Sequence, residues 1–145
     1  MLSLLLKVAD RLRDRARRGS LAPHLASGRR GEDIAHRLLR AEGYTIVARN
    51  YRTKSGSGEV DIIAWDGAIL AFVEVKARES SEFGLPERAV DVEKQERLLR
   101  AARNYARSAE VPWERVRFDI VSVVFSPAAE VTLIRDAFPA HTRVS

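Results

Sequence analysis

The stretch Glu59-Val60-Asp61-Ile62-Ile63-Ala64-Trp65-Asp66-Gly67-Ala68-Ile69-Leu70-Ala71-Phe72-Val73-Glu74-Val75-Lys76-Ala77 reads as two strands joined by a tight turn. Asp66-Gly67 is a hairpin signal because both residues tolerate positive φ, and residues 59–65 and 68–77 on either side are rich in β-branched and aromatic side chains. Within the second run, Glu74 and Lys76 stand where a buried central strand calls for apolar residues. An unpaired charge in a core costs on the order of several kcal/mol, so such a pair marks a cleft, a metal site or an ion-pair network.

Side chains alternate across a strand, so Glu74 and Lys76 share one face and Glu59 and Asp61 share a face of the preceding strand. A two-residue loop at Asp66-Gly67 places Glu59 opposite Glu74 with Asp61 diagonal to it, and a four-residue loop places Asp61 directly opposite Glu74. Either even loop gathers the three carboxylates and the ammonium on one face, whereas a three-residue loop separates the pairs. Carboxylates this close repel unless a cation neutralises them, and an all-oxygen donor set suits Mg²⁺ or Mn²⁺ better than zinc. Such an ion activates water and stabilises charge on a phosphodiester, while a neighbouring lysine steers the water or counters developing negative charge. The expected chemistry is phosphodiester hydrolysis.

Outward from this core, the pattern predicts a helix over residues 29–42 closed by Gly43, with Ile34, Ala35, Leu38, Leu39 and Ala41 at helical spacing. A strand follows over residues 44–52, then a turn at Lys54-Ser55-Gly56-Ser57-Gly58, which lacks the Lys-Ser/Thr ending of a P-loop. Beyond the central hairpin come a loop with Gly84 and Pro86, a helix over residues 92–109, and strands over 116–125 and 131–134. The order of helix, three strands, helix and two strands predicts an α/β fold, a mixed sheet with helices against it. Along the second helix Leu98, Ala101, Ala102, Tyr105 and Ala106 form an apolar face, while Arg97, Arg100, Arg103 and Arg107 form a stripe suited to phosphates or simply to solvent. Lys94 and Gln95 project toward the apolar side at its N-terminal end.

The Asp61 and Glu74-Val75-Lys76 pattern resembles the motif of the PD-(D/E)XK nuclease superfamily. More closely, Gly31-Glu32, Gly43-Tyr44, Arg49-Asn50-Tyr51, Gly58-Glu59-Val60-Asp61, Phe72-Val73-Glu74-Val75-Lys76 and Arg117-Phe118-Asp119 resemble the YraN-type bacterial family. The likeness spans residues 28–125 and implies a restriction-endonuclease-like fold related to archaeal Holliday junction resolvases. It further implies that Glu32, Asp61, Glu74 and the Val75 carbonyl ligate metal and that Lys76 is catalytic, with Glu59 extra to the minimal motif. The resemblance also places a lysine where Lys94 stands. Val60 replaces the proline that names the motif. The resolvase likeness is compatible with a homodimer, although the residues mark no interface.

Composition bounds the rest. The chain has 145 residues, 46% of them hydrophobic and 31% charged, which suits one domain. The absence of cysteine excludes disulfide scaffolds, thiolate zinc sites, iron–sulfur clusters and cysteine nucleophiles. No apolar run approaches a membrane span, and residues 2–6 lack the basic flank and length of a signal peptide, so a cytoplasmic protein is expected. The formal net charge is +5, yet residues 1–30 alone carry eight Lys and Arg against two Asp, leaving −1 for the remainder. The basicity therefore belongs to an N-terminal arm, with a helix over 3–18 and a linker over 19–28, ahead of a domain over 28–136 and a tail over 137–145. His24, His36 and His141 have no metal-ligand spacing, no serine sits in a nucleophile elbow, and Asp119 is expected to pair structurally with an arginine.

The sequence thus leads to a Mg²⁺-dependent endonuclease acting on nucleic acid, preferably branched or single-stranded DNA. Two alternatives stay open: a non-catalytic module that binds nucleic acid or delivers it to a partner, and a structural ion-pair network of Asp61, Glu74 and Lys76. Charges held in a core strand argue against a dead site.

Overall fold

The structure, a computed structural model, describes residues 23–80 and 90–140, with side chains described from residue 28. It is an α/β fold in which a five-stranded mixed sheet carries one helix on each face. Helix α1 (Pro23–Ala41) precedes strands β1 (Thr45–Arg52), β2 (Glu59–Asp66) and β3 (Ile69–Ser80), and helix α2 (Val92–Ser108) precedes β4 (Val116–Ser126) and β5 (Glu130–Phe138). The strands lie side by side in chain order. Neighbours are antiparallel except β3 and β4, which run parallel because the chain between them crosses over through α2.

Helix α1 starts at Pro23, inside the segment expected to be a linker. Proline is well suited to a first helical turn, where its missing N–H is not needed. Strand β5 likewise runs past the expected Ile134 to Phe138, whose ring stacks on Phe118 with centroids 5.0 Å apart. The expected helix over 3–18, the loop containing Gly84 and Pro86, His141 and the side chain of His24 lie outside the described residues.

Two cores form on the two faces of the sheet. Ile34, Ala35, Leu38 and Leu39 of α1 pack on Ile62, Ala64, Ala71, Val73, Val121 and Val123. On the other face, Leu98, Ala101, Ala102 and Ala106 of α2 pack on Ile63, Leu70, Phe72, Phe118 and Ile120. Fully burying a side chain such as Phe72 or Phe118 contributes roughly 1.5–3 kcal/mol. Close packing requires glycine at two places. A Cβ on Gly31 would lie 2.7 Å from the Cβ of Ala77, and one on Gly58 would lie 2.7 Å from the backbone nitrogen of Ala101. The first lets α1 approach β3, and the second lets α2 sit against the turn between β1 and β2.

The central hairpin turns at Gly67-Ala68 rather than at Asp66-Gly67, because Asp66 pairs with Ile69. Gly67 alone in that loop has positive φ, +60°, as a type II′ turn requires. Asp66 is held in the strand by Arg117, whose guanidinium donates to its carboxylate at 2.7 Å. The loop length remains even, and the register is the one in which Asp61 stands across from Glu74.

Candidate metal centre and its basic flank

The β2–β3 ladder ends at Ile62 and Val73, and one further step of the same register sets Asp61 opposite Glu74. Past this point β3 stays paired with β4 as far as Ser80 but no longer with β2, so a gap opens along one side of β3. Asp61 fills the head of the gap, and its Oδ2 accepts the backbone N–H of Val75 at 2.8 Å. In an extended strand the N–H and C=O of one residue point to the same side, so the Val75 carbonyl faces the same gap.

Strict alternation breaks here. Val60 and Ile63 belong to the α2-side core while Ile62 belongs to the α1-side core, so residues two apart no longer share a face. On the neighbouring strand Asn50, between the paired Arg49 and Tyr51, takes a left-handed φ of 52°. Glu59 nonetheless lies within electrostatic reach of both Asp61 and Glu74, and Asp61 also senses Glu32 of α1.

Asp61 and Glu74 stand opposite each other across the register, close enough that each carboxyl acts on the ionisation of the other. Burial raises the pKa of both above the ordinary carboxylate range, Glu74 also through the charge of Asp61 and Asp61 also through that of Glu32, with the Val75 N–H opposing the rise at Asp61. Lys76, on the same face of β3 as Glu74, lies within electrostatic reach of Lys94 of α2. Burial and then the neighbouring Lys94 lower the Lys76 pKa, while Lys94 also lowers that of Glu74. Asp91 caps α2 by accepting from the Lys94 backbone N–H at 2.9 Å, which fixes the turn that carries this lysine.

The other expected site residues stand near the pair but are engaged elsewhere. Glu32, next to the glycine that lets α1 approach β3, raises the Asp61 pKa through its charge, yet its carboxylate lies 3.5 Å from the guanidinium of Arg49. Glu59 bridges to Arg97 at 3.4 Å and Arg52 at 3.7 Å. Gln95 donates through Nε2 to the Val90 carbonyl at 3.0 Å, stabilising the approach to α2 rather than the site. Of the arginine stripe, Arg97 neutralises Glu59, Arg100 donates through Nε to the Ser57 carbonyl at 2.8 Å, and Arg103 lies over the Trp113 ring at 5.8 Å. Arg107 is exposed.

Among the described residues, no three His, Asp or Glu side chains converge tightly enough to form a metal cage by themselves. The donor set is instead Asp61, Glu74 and the Val75 carbonyl, all oxygen. That set fits Mg²⁺ or Mn²⁺, which are commonly held by one or two carboxylates with water completing the shell.

A second polar cluster was only partly legible in the sequence. Asp119 is fully buried and accepts from Arg117 at 2.8 Å, from the Tyr44 hydroxyl at 2.7 Å and from the Asp136 backbone N–H at 3.0 Å. Arg135 lies 3.5 Å from Asp66 and over the Tyr44 ring at 5.4 Å. Tyr44 belongs to the α1-side core, so this network lies on the face away from Glu74 and Lys76, and its role is structural. His36 is half-buried with Nδ1 unpartnered, and burial followed by the charge of Arg49 lowers its pKa. No described helix is long and apolar enough to cross a membrane.

Fold and site together define a class: an α/β protein whose sheet opens beside a strand-borne carboxylate pair flanked by two lysines. The model of the Uncharacterised protein family UPF0102 matches residues 31–123, from the glycine in α1 into β4. The chain is 55% identical over 138 residues to a UPF0102 protein of Solibacter usitatus, covering 95% of this chain and all of that protein. It is 47% identical over 116 residues to one from Koribacter versatilis, covering 79% of this chain and 80% of that protein. A Rhodococcus opacus relative is 42% identical over 120 residues, covering 81% and 100% respectively. The chain belongs to the UPF0102 family. The matched region contains every residue of the carboxylate and lysine cluster.

Proposed function

We propose that the chain is a divalent-metal-dependent endonuclease that hydrolyses phosphodiester bonds of nucleic acid, with branched or single-stranded DNA as its substrate class. The observation that carries this reading is the buried Asp61–Glu74 pair where the β2–β3 ladder ends, with the Val75 N–H on Asp61 and with Lys76 and Lys94 beside it. The resemblance to YraN-type proteins, and through them to the PD-(D/E)XK nucleases and archaeal resolvases, supports the same reading.

Asp61, Glu74 and the Val75 carbonyl would hold Mg²⁺ or Mn²⁺, with Glu32 as a further carboxylate beside Asp61. When bound, the ion supplies Lewis-acid charge for the phosphate and lowers the pKa of water. The protein's own groups do the rest. Burial and the neighbouring Lys94 lower the pKa of Lys76, which suits it to act as a base. In this reading water attacks phosphorus as its proton passes to Lys76 Nζ, the bond from phosphorus to the leaving sugar oxygen breaks, and that oxygen takes a proton from solvent to leave as a hydroxyl. Lys94 offsets negative charge on the phosphate as that happens.

A non-catalytic nucleic-acid module is favoured by one observation, the engagement of Glu32 and Glu59 with arginines. Cleavage separates the readings. The endonuclease reading expects Mg²⁺-dependent cutting of branched or single-stranded DNA that is lost in Asp61→Ala. DNA binding by wild type without cutting at any divalent metal would establish the module instead.

A further inference from the structure

Glu32 stands beside the metal centre without closing on it. The preceding residue, Gly31, lies against Val75 and Ala77 of β3, so α1 meets the sheet at the level of the gap. The charge of Glu32 is felt by Asp61. Among the described residues, however, Glu32, Asp61 and Glu74 do not form a three-carboxylate cage.

The group that engages Glu32 comes from the neighbouring edge strand. Ala48 packs into the α2-side core, so the next residue, Arg49, projects toward α1. Arg49 pairs with Ile62 of β2, the residue after Asp61, which sets it at the same level of the sheet. Its Nη2 donates a hydrogen bond to Asp33 Oδ1 at 3.1 Å and lies 3.5 Å from Glu32 Oε2. Glu32 and Asp33 are consecutive on α1, and one guanidinium nitrogen serves both.

The two contacts are unequal. Asp33 takes the hydrogen bond, and Glu32 takes only the longer ionic contact. Glu32 can therefore leave without stranding the guanidinium, whose charge stays matched by Asp33. A divalent ion held by Asp61 and Glu74 offers Glu32 a doubly charged partner, and Mg²⁺ or Mn²⁺ accepts a further carboxylate in place of a water.

We propose that Arg49 is a positioning residue that competes with the metal for Glu32, with Asp33 retaining Arg49 once Glu32 turns to the ion. The proposal rests on the metal-centre reading of Asp61 and Glu74, and it adds a brake on metal uptake applied from β1. Wild type then binds the ion more weakly than its carboxylates alone would allow.

The test is calorimetric titration of Mn²⁺ into the full chain at fixed pH and salt, comparing wild type with Arg49→Gln, Glu32→Gln and Arg49→Gln/Glu32→Gln. Arg49→Gln should bind about fivefold more tightly, the upper range for a partly exposed ion pair. In the Glu32→Gln background the same change should move the affinity by less than about twofold, because the effect passes through the Glu32 carboxylate. An equal gain in both backgrounds would overturn the proposal, since it would make Arg49 only a distant repulsive charge. Thermal midpoints in chelator should stay near wild type, because exposed ion pairs add little to folding. Should Arg49→Gln melt early, Asp33→Asn carries the test, since it leaves Arg49 to Glu32 alone. It should weaken binding about threefold, and the loss should be absent when Asp33→Asn/Glu32→Gln is compared with Glu32→Gln. Saturable binding by wild type with unchanged affinity in Arg49→Gln refutes the brake and leaves the metal centre standing. Absence of binding from every protein refutes both.

Discussion

Glu74 concentrates the electrostatic tension of the protein. Burial and the adjacent Asp61 raise its pKa, so between the ordinary carboxylate range and the raised value the folded chain binds more protons than the unfolded chain. Stability contributed by the pair is therefore present below the unfolded pKa and lost as pH rises through the folded one. In chelator, the urea midpoint of wild type should fall between about pH 5 and pH 8. Glu74→Gln should flatten that slope and stand about 1 kcal/mol above wild type at the upper end, because it removes the repulsion. A loss of about 3–5 kcal/mol in Glu74→Gln would instead make the pair a structural network. At this scale the sequence was informative: two charges inside an apolar strand flagged Glu74 and Lys76, while Asp61 comes directly opposite Glu74 because the turn falls at Gly67-Ala68 rather than at Asp66-Gly67. The Lys76–Lys94 contact follows from the docking of α2 on the sheet, and the Glu32–Arg49 pair joins α1 to β1, neither of which periodicity encodes.

Among the elements, the junction of α2 with the turn between β1 and β2 controls the basic flank of the site. Gly58→Ala would press a methyl group onto the Ala101 backbone at 2.7 Å, where no side chain can swing away. The expected cost is about 1–3 kcal/mol, read as a lower thermal midpoint, and a neutral result would show that α2 is not tightly seated. The elements themselves were legible because helices and strands here keep clean periods of hydrophobicity. Their ends were less so, for reasons beyond the local chain. Asp66 extends β2 by pairing with Arg117, 51 positions away, which moves the turn by one residue. Phe138 extends β5 because it stacks on Phe118. The break in alternation at Asp61 depends on the left-handed Asn50 of the neighbouring strand and has no signature in β2 itself.

Across the whole molecule, the two faces of the sheet divide the work. The α2 face and the opened edge carry Asp61, Glu74 and the lysines, while Tyr44, Asp66, Arg117, Asp119 and Arg135 tie the residue before β1 to β2, β4 and β5 from the other side. Asp119 was recognisable as an arginine partner from Arg117-Phe118-Asp119, but Tyr44 and Arg135 reach it or its neighbours only through the folded sheet. Asp119→Ala leaves Arg117 without its buried carboxylate and should cost about 3–5 kcal/mol in urea unfolding, with divalent-metal affinity of the folded fraction unchanged. Weakened metal binding at full folding would show that the network tunes the site. The central claim is that Asp61 and Glu74 form a metal centre, and its most direct test is calorimetric titration of Mn²⁺ and Mg²⁺ into wild type and Asp61→Ala. The account predicts a saturable site in wild type, accompanied by proton release as the carboxyl pair gives up its proton, and no such site in Asp61→Ala. Identical heats from the two proteins, with no proton release, would contradict it.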